Sequence, residues 1–165
     1  GGGAHPAEAR LPADGALNVD KLDELFASQA FLNDSIFAKR SLKGQDGQIL
    51  STGRLVALAR GEDIAPGSDT ATWLANYLKA LQDESRELGE EVPWKWWSKE
   101  RLDMDAIRVE IVDMLHFWIS LALVSGLDAG ETLRLYRLKN EINLKRQDAG
   151  YDASANSGRD DLSVK

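Results

Sequence analysis

The chain has 165 residues, 43% of them hydrophobic and 28% charged, a balance that supports one domain with a single core and excludes wholesale disorder. Twenty Lys and Arg stand against 27 Asp and Glu for a net charge of −7, the opposite of what a phosphate-tracking nucleic-acid binder needs. The absence of cysteine excludes disulfides, thiolate zinc sites and cysteine nucleophiles. No apolar run reaches the ~18 residues of a membrane span, because Arg108, Glu110, Asp113 and His116 break the longest candidate.

Residues 1–17 are rich in Gly, Ala and Pro without periodicity and are expected to form a disordered arm. They lack the cationic start and apolar block of a secretory signal, so a cytoplasmic location is expected, or the host's cytoplasm for a viral protein. Residues 18–151 are expected to be the folded domain. From Asn18, placed to cap, residues Val19, Leu22, Leu25, Phe26, Leu32 and Ile36 recur at helical steps and predict a first helix. Residues 43–67, with five Gly and one Pro, read as a loop around a short apolar piece at 49–58.

A second helix is predicted from about Asp69, capped by Asp69 or Thr70, with an apolar stripe of Leu74, Tyr77, Leu78, Leu81 and Leu88, and Gly89 helping to end it. Residues 92–97 form an aromatic connector with three tryptophans and Pro93. The third helix, from about Met104 to Ser125, is apolar nearly all round and should be the central one, with Gly126 as its stop. Asp128 followed by Glu131 gives a capping-box start to a fourth helix that reaches about Gln147, ahead of Gly150. Residues 152–165 read as a polar, mobile tail. No strand-period run is found, so the expected fold class is all-α, a compact bundle of four to five helices.

The informative residues are carboxylates on apolar faces. Tyr77, Leu81, Glu84 and Leu88 follow one another at steps of four, three and four, so Glu84 interrupts a buried stripe and Glu87 lies beside it. Glu110 and Asp113 are likewise three apart, among Ile107, Ile111, Val112, Met114, Leu115 and Phe117, where solvent should be least available. An unpaired buried carboxylate costs several kcal/mol or protonates, and no Lys or Arg falls at helical spacing on either inner face. A hard divalent cation resolves this: oxygen ligands suit Mg2+, which keeps waters and shares its sites with substrate phosphates. Mn2+ is an acceptable substitute. Asp113 and His116, also three apart, raise ferritin-like di-iron chemistry, but that needs two inward Glu-x-x-His helices, and the only other histidine is His5.

The fourth helix contrasts with this. Lys139, Asn143 and Arg146 share one strip, and Asn140, Asn143 and Gln147 another, with Leu133, Leu135, Tyr136, Leu138, Ile142 and Leu144 on much of the remainder. Cations can take phosphate oxygens while amides read a base edge or a sugar hydroxyl. Gln29 and Asn33, four apart, offer a further amide pair on the first helix. Acidic cluster, cationic strip and amide pairs point to a nucleoside polyphosphate held through Mg2+.

These motifs resemble those of the all-α dimeric dUTPases, within the MazG-like nucleotide pyrophosphohydrolases. The likeness runs through Gln29 and Asn33; Glu84, Glu87, Trp94, Lys95 and Trp97; Glu110, Asp113, His116 and Phe117; and Lys139, Asn140, Asn143, Arg146, Gln147, Gly150 and Tyr151. It covers about half of the chain, and the last block separates dUTPase-like members from generic MazG proteins. The resemblance implies Mg2+-dependent hydrolysis of dUTP to dUMP and pyrophosphate by a homodimer or larger homo-oligomer. It implies Glu84, Glu87, Glu110 and Asp113 as metal ligands, and Glu87 as the group that orients and deprotonates water. Lys139, Arg146 and Lys95 would hold phosphates; Gln29, Asn33, Asn140, Asn143, His116 and Phe117 would meet the nucleoside. Trp94, Trp96 and Trp97 read either as core or as stacking residues, and Tyr136 as core. The same reaction on dCTP or a modified nucleotide stays open, as does a catalytically silent nucleotide sensor. Two departures stand out. Larger members insert a helical segment where Gly126 here leads directly onward, and Gly158, Arg159, Asp160 and Asp161 match only the start of the family's Gly-Lys-Glu-Asp-Asn-like tail, with Leu162 in place of the asparagine.

Overall fold

A computed structural model describes residues 20–61 and 64–148. These form helices α1 (Lys21–Lys39), α2 (Thr52–Ala59), α3 (Asp69–Glu91), α4 (Met104–Val124) and α5 (Ala129–Asp148), with no strand among them beyond one isolated bridge between Lys43 and Ile49. The all-α expectation holds. The expected arm, the tail, Asn18, Gly150 and Tyr151 lie outside the described residues.

Each helix start has a side-chain cap, and two differ from expectation. Asp20, not Asn18, opens α1, its carboxylate accepting from the Leu22 and Asp23 amides. Ser68 opens α3 by accepting from the Ala71 amide, one residue ahead of the expected Asp69 or Thr70. The stretch expected as loop contains α2: Ser51 caps it through the Arg54 amide at 3.2 Å, and Asp34 of α1 accepts from the Thr52 amide at 2.6 Å. Gly53 in its first turn lowers helix propensity, so only this tertiary anchoring marks the helix. Gly89 does not end α3, which runs to Glu91 and yields at Val92, just before Pro93. Asp128 caps α5 through the Glu131 amide at 2.7 Å, but Glu131 turns its carboxylate to Arg134 at 2.7 Å instead of closing the capping box.

The core has two parts. Phe26, Ile119, Ala122, Leu123 and Ala129 join α1, α4 and the first turn of α5. Phe37, Leu50, Leu55, Tyr77 and Val124 join α1, α2, α3 and α4. Helix α4 therefore is central, packing on α1, α2 and α3, but only part of its surface is covered: Val109, Ile111, Val112, Leu115 and Trp118 are exposed. The buried face of α1 is Phe26, Gln29, Asn33 and Phe37, while Leu25, Leu32 and Ile36 of the expected stripe are exposed, the last two at the rim of a cavity. Tyr136, expected in the core, is 69% exposed, because beyond its first turn α5 has little packing on the other described helices, its main contact being with α1.

The α4–α5 turn is tight. Gly126 takes φ +86°, a left-handed conformation that favours glycine, and the amides of Gly126 and Leu127 return to the carbonyls of Leu123 and Ala122 at 2.9 Å each, a Schellman closure. Arg60, at the end of α2, braces it by donating from Nε to the Gly126 carbonyl at 3.0 Å and approaching the Asp128 carboxylate at 3.4 Å.

Candidate active site

Helices α3 and α4 make the most extensive pairing of the fold, and their facing sides carry the acidic residues. Glu84, Glu87 and Glu110 each present a carboxylate oxygen, and these oxygens lie within 4.8 Å of one another. Asp113 falls outside that tight triad, though its charge reaches Glu84. All four side chains are half-buried, less enclosed than the apolar sequence of α4 implied, because the neighbouring face of α4 is uncovered. Arg86 bonds Asp83 and also comes within 3.5 Å of Glu87. It does not reach the rest of the cluster.

The donor set fits a hard divalent cation. All three ligands are carboxylate oxygens, and Oε2 of Glu110 is shut off from water without a hydrogen-bond partner among the described residues. An orphaned buried acceptor of this kind is costly unless something positive meets it. Loss of water contact, then the charges of Glu87, Asp113 and Glu110, push the Glu84 carboxyl above its ordinary range.

A raised carboxyl pKa means that the unfolded chain gives up this proton more readily than the fold does. The cation-free fold is therefore favoured on the acid side and loses stability as the pH climbs through Glu84's raised range. Asp46, held low by the Gln48 amide and then by Arg54, and Glu131, held low by Arg134, act in the opposite sense, but only further into acid. In EDTA the melting temperature should accordingly fall as the pH rises from the ordinary carboxyl range through the raised range of Glu84, and the rise produced by Mg2+ should grow over the same window. A Mg2+ effect independent of pH would show that the cation does not compete with protons at Glu84.

Beside the carboxylates opens a cavity of about 470 Å³, lined by Gln29, Leu32, Asn33, Ile36, Phe37, Trp73, Tyr77, Glu84, Asp113, His116 and Phe117. One wall is aromatic: the Trp73 ring stands 4.9 Å from Phe37, edge-on, and 5.4 Å from Tyr77. Burial, helped by the Asp34 charge, drives the Tyr77 hydroxyl pKa upward, so it remains neutral. Another wall is an amide relay. Gln29 Nε2 donates to Asn33 Oδ1 at 2.9 Å, and Asn33 Nδ2 donates to Ser120 Oγ at 3.1 Å. Ser120 Oγ donates to the His116 carbonyl at 2.9 Å, and His116 Nδ1 lies 2.6 Å from Gln29 Oε1.

The structure thus brings Gln29, Asn33, Glu84, Asp113, His116 and Phe117 to one cavity, with Glu87 and Glu110 alongside through the triad. The remaining expected residues are placed elsewhere among the described residues. Lys95 sits over the Trp94 ring at 5.8 Å and lines a separate recess with Gly89, Glu90 and Pro93. Lys139, Asn140, Asn143 and Arg146 are on α5 and do not line the cavity. The core reading of the connector also fails: Trp94 and Trp96 are 77% and 88% exposed, in edge-on contact with Trp97. Trp73, Phe37 and Ser120 were missed as site residues; the aromatic spacing of Trp73 and Tyr77, one turn apart, was a usable signal.

A family profile described as dUTPase matches residues 21–131. Two phage proteins named dCTP pyrophosphatase, from Enterobacteria phages LZ5 and T4, are each 30% identical over 115 residues, covering 54% of this chain and 67% of theirs. No solved structure gives a significant match. Among the described residues no helix is long and apolar enough to cross a membrane. With the profile spanning both carboxylate helices and the amide pair, the chain belongs to the dUTPase family.

Proposed function

We propose that this chain hydrolyses dUTP to dUMP and pyrophosphate with Mg2+, or Mn2+ in its place. The observation that carries the reading is the union of two sites. Glu84 and Asp113 line the base-sized, aromatic-walled cavity, and Glu84 is at once a member of the carboxylate triad. A planar base against the Trp73–Tyr77 wall would set its triphosphate toward the acidic helices. Glu84, Glu87, Glu110 and Asp113 would hold the cation, which when bound neutralises phosphate charge. Glu87 accepts the proton of the attacking water, which adds to phosphorus as the bridging oxygen of pyrophosphate leaves.

The homodimer belongs to the same proposal. The uncovered apolar residues of α4 and the exposed Leu133, Tyr136 and Leu144 of α5 are the kind of surface an obligate partner covers. In such an assembly Lys139, Asn140, Asn143 and Arg146 reach the phosphates and nucleoside of a neighbouring site, and Lys95 the phosphates. A second reading, dCTP as substrate, is favoured by the names of the phage relatives. Product release from dUTP, dCTP, dTTP, dATP and dGTP, with Mg2+ and with EDTA, separates the two. Mg2+-dependent pyrophosphate from dUTP alone is expected. Preference for dCTP would transfer the proposal to that nucleotide, and orthophosphate as the product would overturn it.

A further inference from the structure

We infer that Ser120 is a positioning residue that fixes the hydrogen-bond polarity of the Gln29–Asn33 amide pair, and through it which pyrimidine edge the cavity accepts. This rests on the reading of the cavity as a pyrimidine pocket. A serine hydroxyl has one proton. Ser120 is fully buried, at 0% exposure, and gives that proton to the His116 carbonyl one turn back along α4. Toward Asn33 it can therefore only accept. Asn33 must turn its NH2 to Ser120 and its oxygen to Gln29; Gln29 must then turn its NH2 to Asn33 and its oxygen to His116. His116 must then carry a proton on Nδ1, which in the neutral ring fixes the Nδ1–H tautomer.

The relay has only two self-consistent directions, because reversing any one amide reverses them all. In the reverse direction Ser120 donates to Asn33 and His116 Nδ1 accepts, at the cost of the bond to the backbone carbonyl. Each amide keeps one N–H and one oxygen lone pair outside the relay, so the relay's direction sets where donors and acceptors stand along the cavity wall. The Watson–Crick edges of uracil and cytosine are inverses. Uracil offers N3–H as donor and O4 as acceptor; cytosine offers N3 as acceptor and N4–H2 as donor. A site whose polarity is anchored rejects the inverse edge because its buried groups are left unpaired, whereas one free to flip accommodates both.

The experiment is kcat/KM for dUTP and for dCTP, with Mg2+, in the wild type, Ser120→Ala and Ser120→Thr. The wild-type preference should fall about tenfold or more toward unity in Ser120→Ala, and Ser120→Thr, which retains the hydroxyl, should keep it. An unchanged ratio in Ser120→Ala overturns the inference. So does equal loss in both variants, since packing and not the hydroxyl would then hold the selectivity. A measurement on the wild type needs no variant to fold: 15N NMR of the neutral His116 ring should show Nδ1–H, and the Nε2–H tautomer would overturn the assigned polarity. Turnover of neither nucleotide by the wild type would remove the pyrimidine reading itself, while a selective wild type with an unaltered Ser120→Ala ratio removes only the role of Ser120.

Discussion

Glu87→Gln should lower turnover of dUTP by about 10²–10⁴-fold, the scale for losing a positioned general base, while nucleotide binding in Mg2+ persists. The substitution keeps the shape of the side chain and one oxygen donor, and it leaves Glu84, Glu110 and Asp113 in place. What it removes is the proton acceptor. Arg86 stands 3.5 Å from Glu87 and stays occupied by Asp83 and Glu90, so the surrounding ion pairs do not collapse with the exchange. Steady-state turnover together with calorimetric titration of nucleotide into the variant checks both halves. Unchanged turnover would take Glu87 out of its assigned role, and loss of binding in step with turnover would make it a ligand only.

Chelating the divalent cation should abolish both activity and tight binding of dUTP. Like charges about 4.8 Å apart repel by about 3 kcal/mol at an effective dielectric of ~20, and a triphosphate adds its own negative charge to a cluster that already has several. The protein's net charge of −7 gives no attraction at longer range. Cation and nucleotide should consequently bind with strong positive coupling, read as a dissociation constant for dUTP that weakens by two or more orders of magnitude in EDTA. Tight binding without a cation would rule out the carboxylate cluster as the phosphate end of the site.

Much of this was legible in the sequence because it is written at helical spacing. Glu84 with Glu87, Glu110 with Asp113 and Gln29 with Asn33 each lie one turn apart, and the structure brings all three pairs to one region. Helix α2 was not legible: its boundaries depend on Ser51 and on Asp34 from another helix, a tertiary fact without a periodic signature. Nor could the apolar run of α4 say which of its faces this chain covers, since Val109 and Ile119 look alike in sequence and differ only in having neighbours. Ser120 escaped notice for the same reason. A lone serine among Ile119, Leu121 and Ala122 reads as a small helix residue until Asn33, 87 positions earlier, is found bonded to it.

The brace at the end of α4 has a mechanical side. Helix α5 extends for 20 residues from a turn of four, and Arg146 stands about 25 Å along it at ~1.5 Å per residue. A pivot of about 5° at Gly126 would carry that end through about 2 Å, enough to make or break a phosphate contact. Arg60 grips the pivot from the end of α2, which lies directly against Gly126. The short helix that the sequence hid thus stands where the fulcrum of such a lever would be, tied to α1 through Thr52 and Asp34 and to the turn through Arg60.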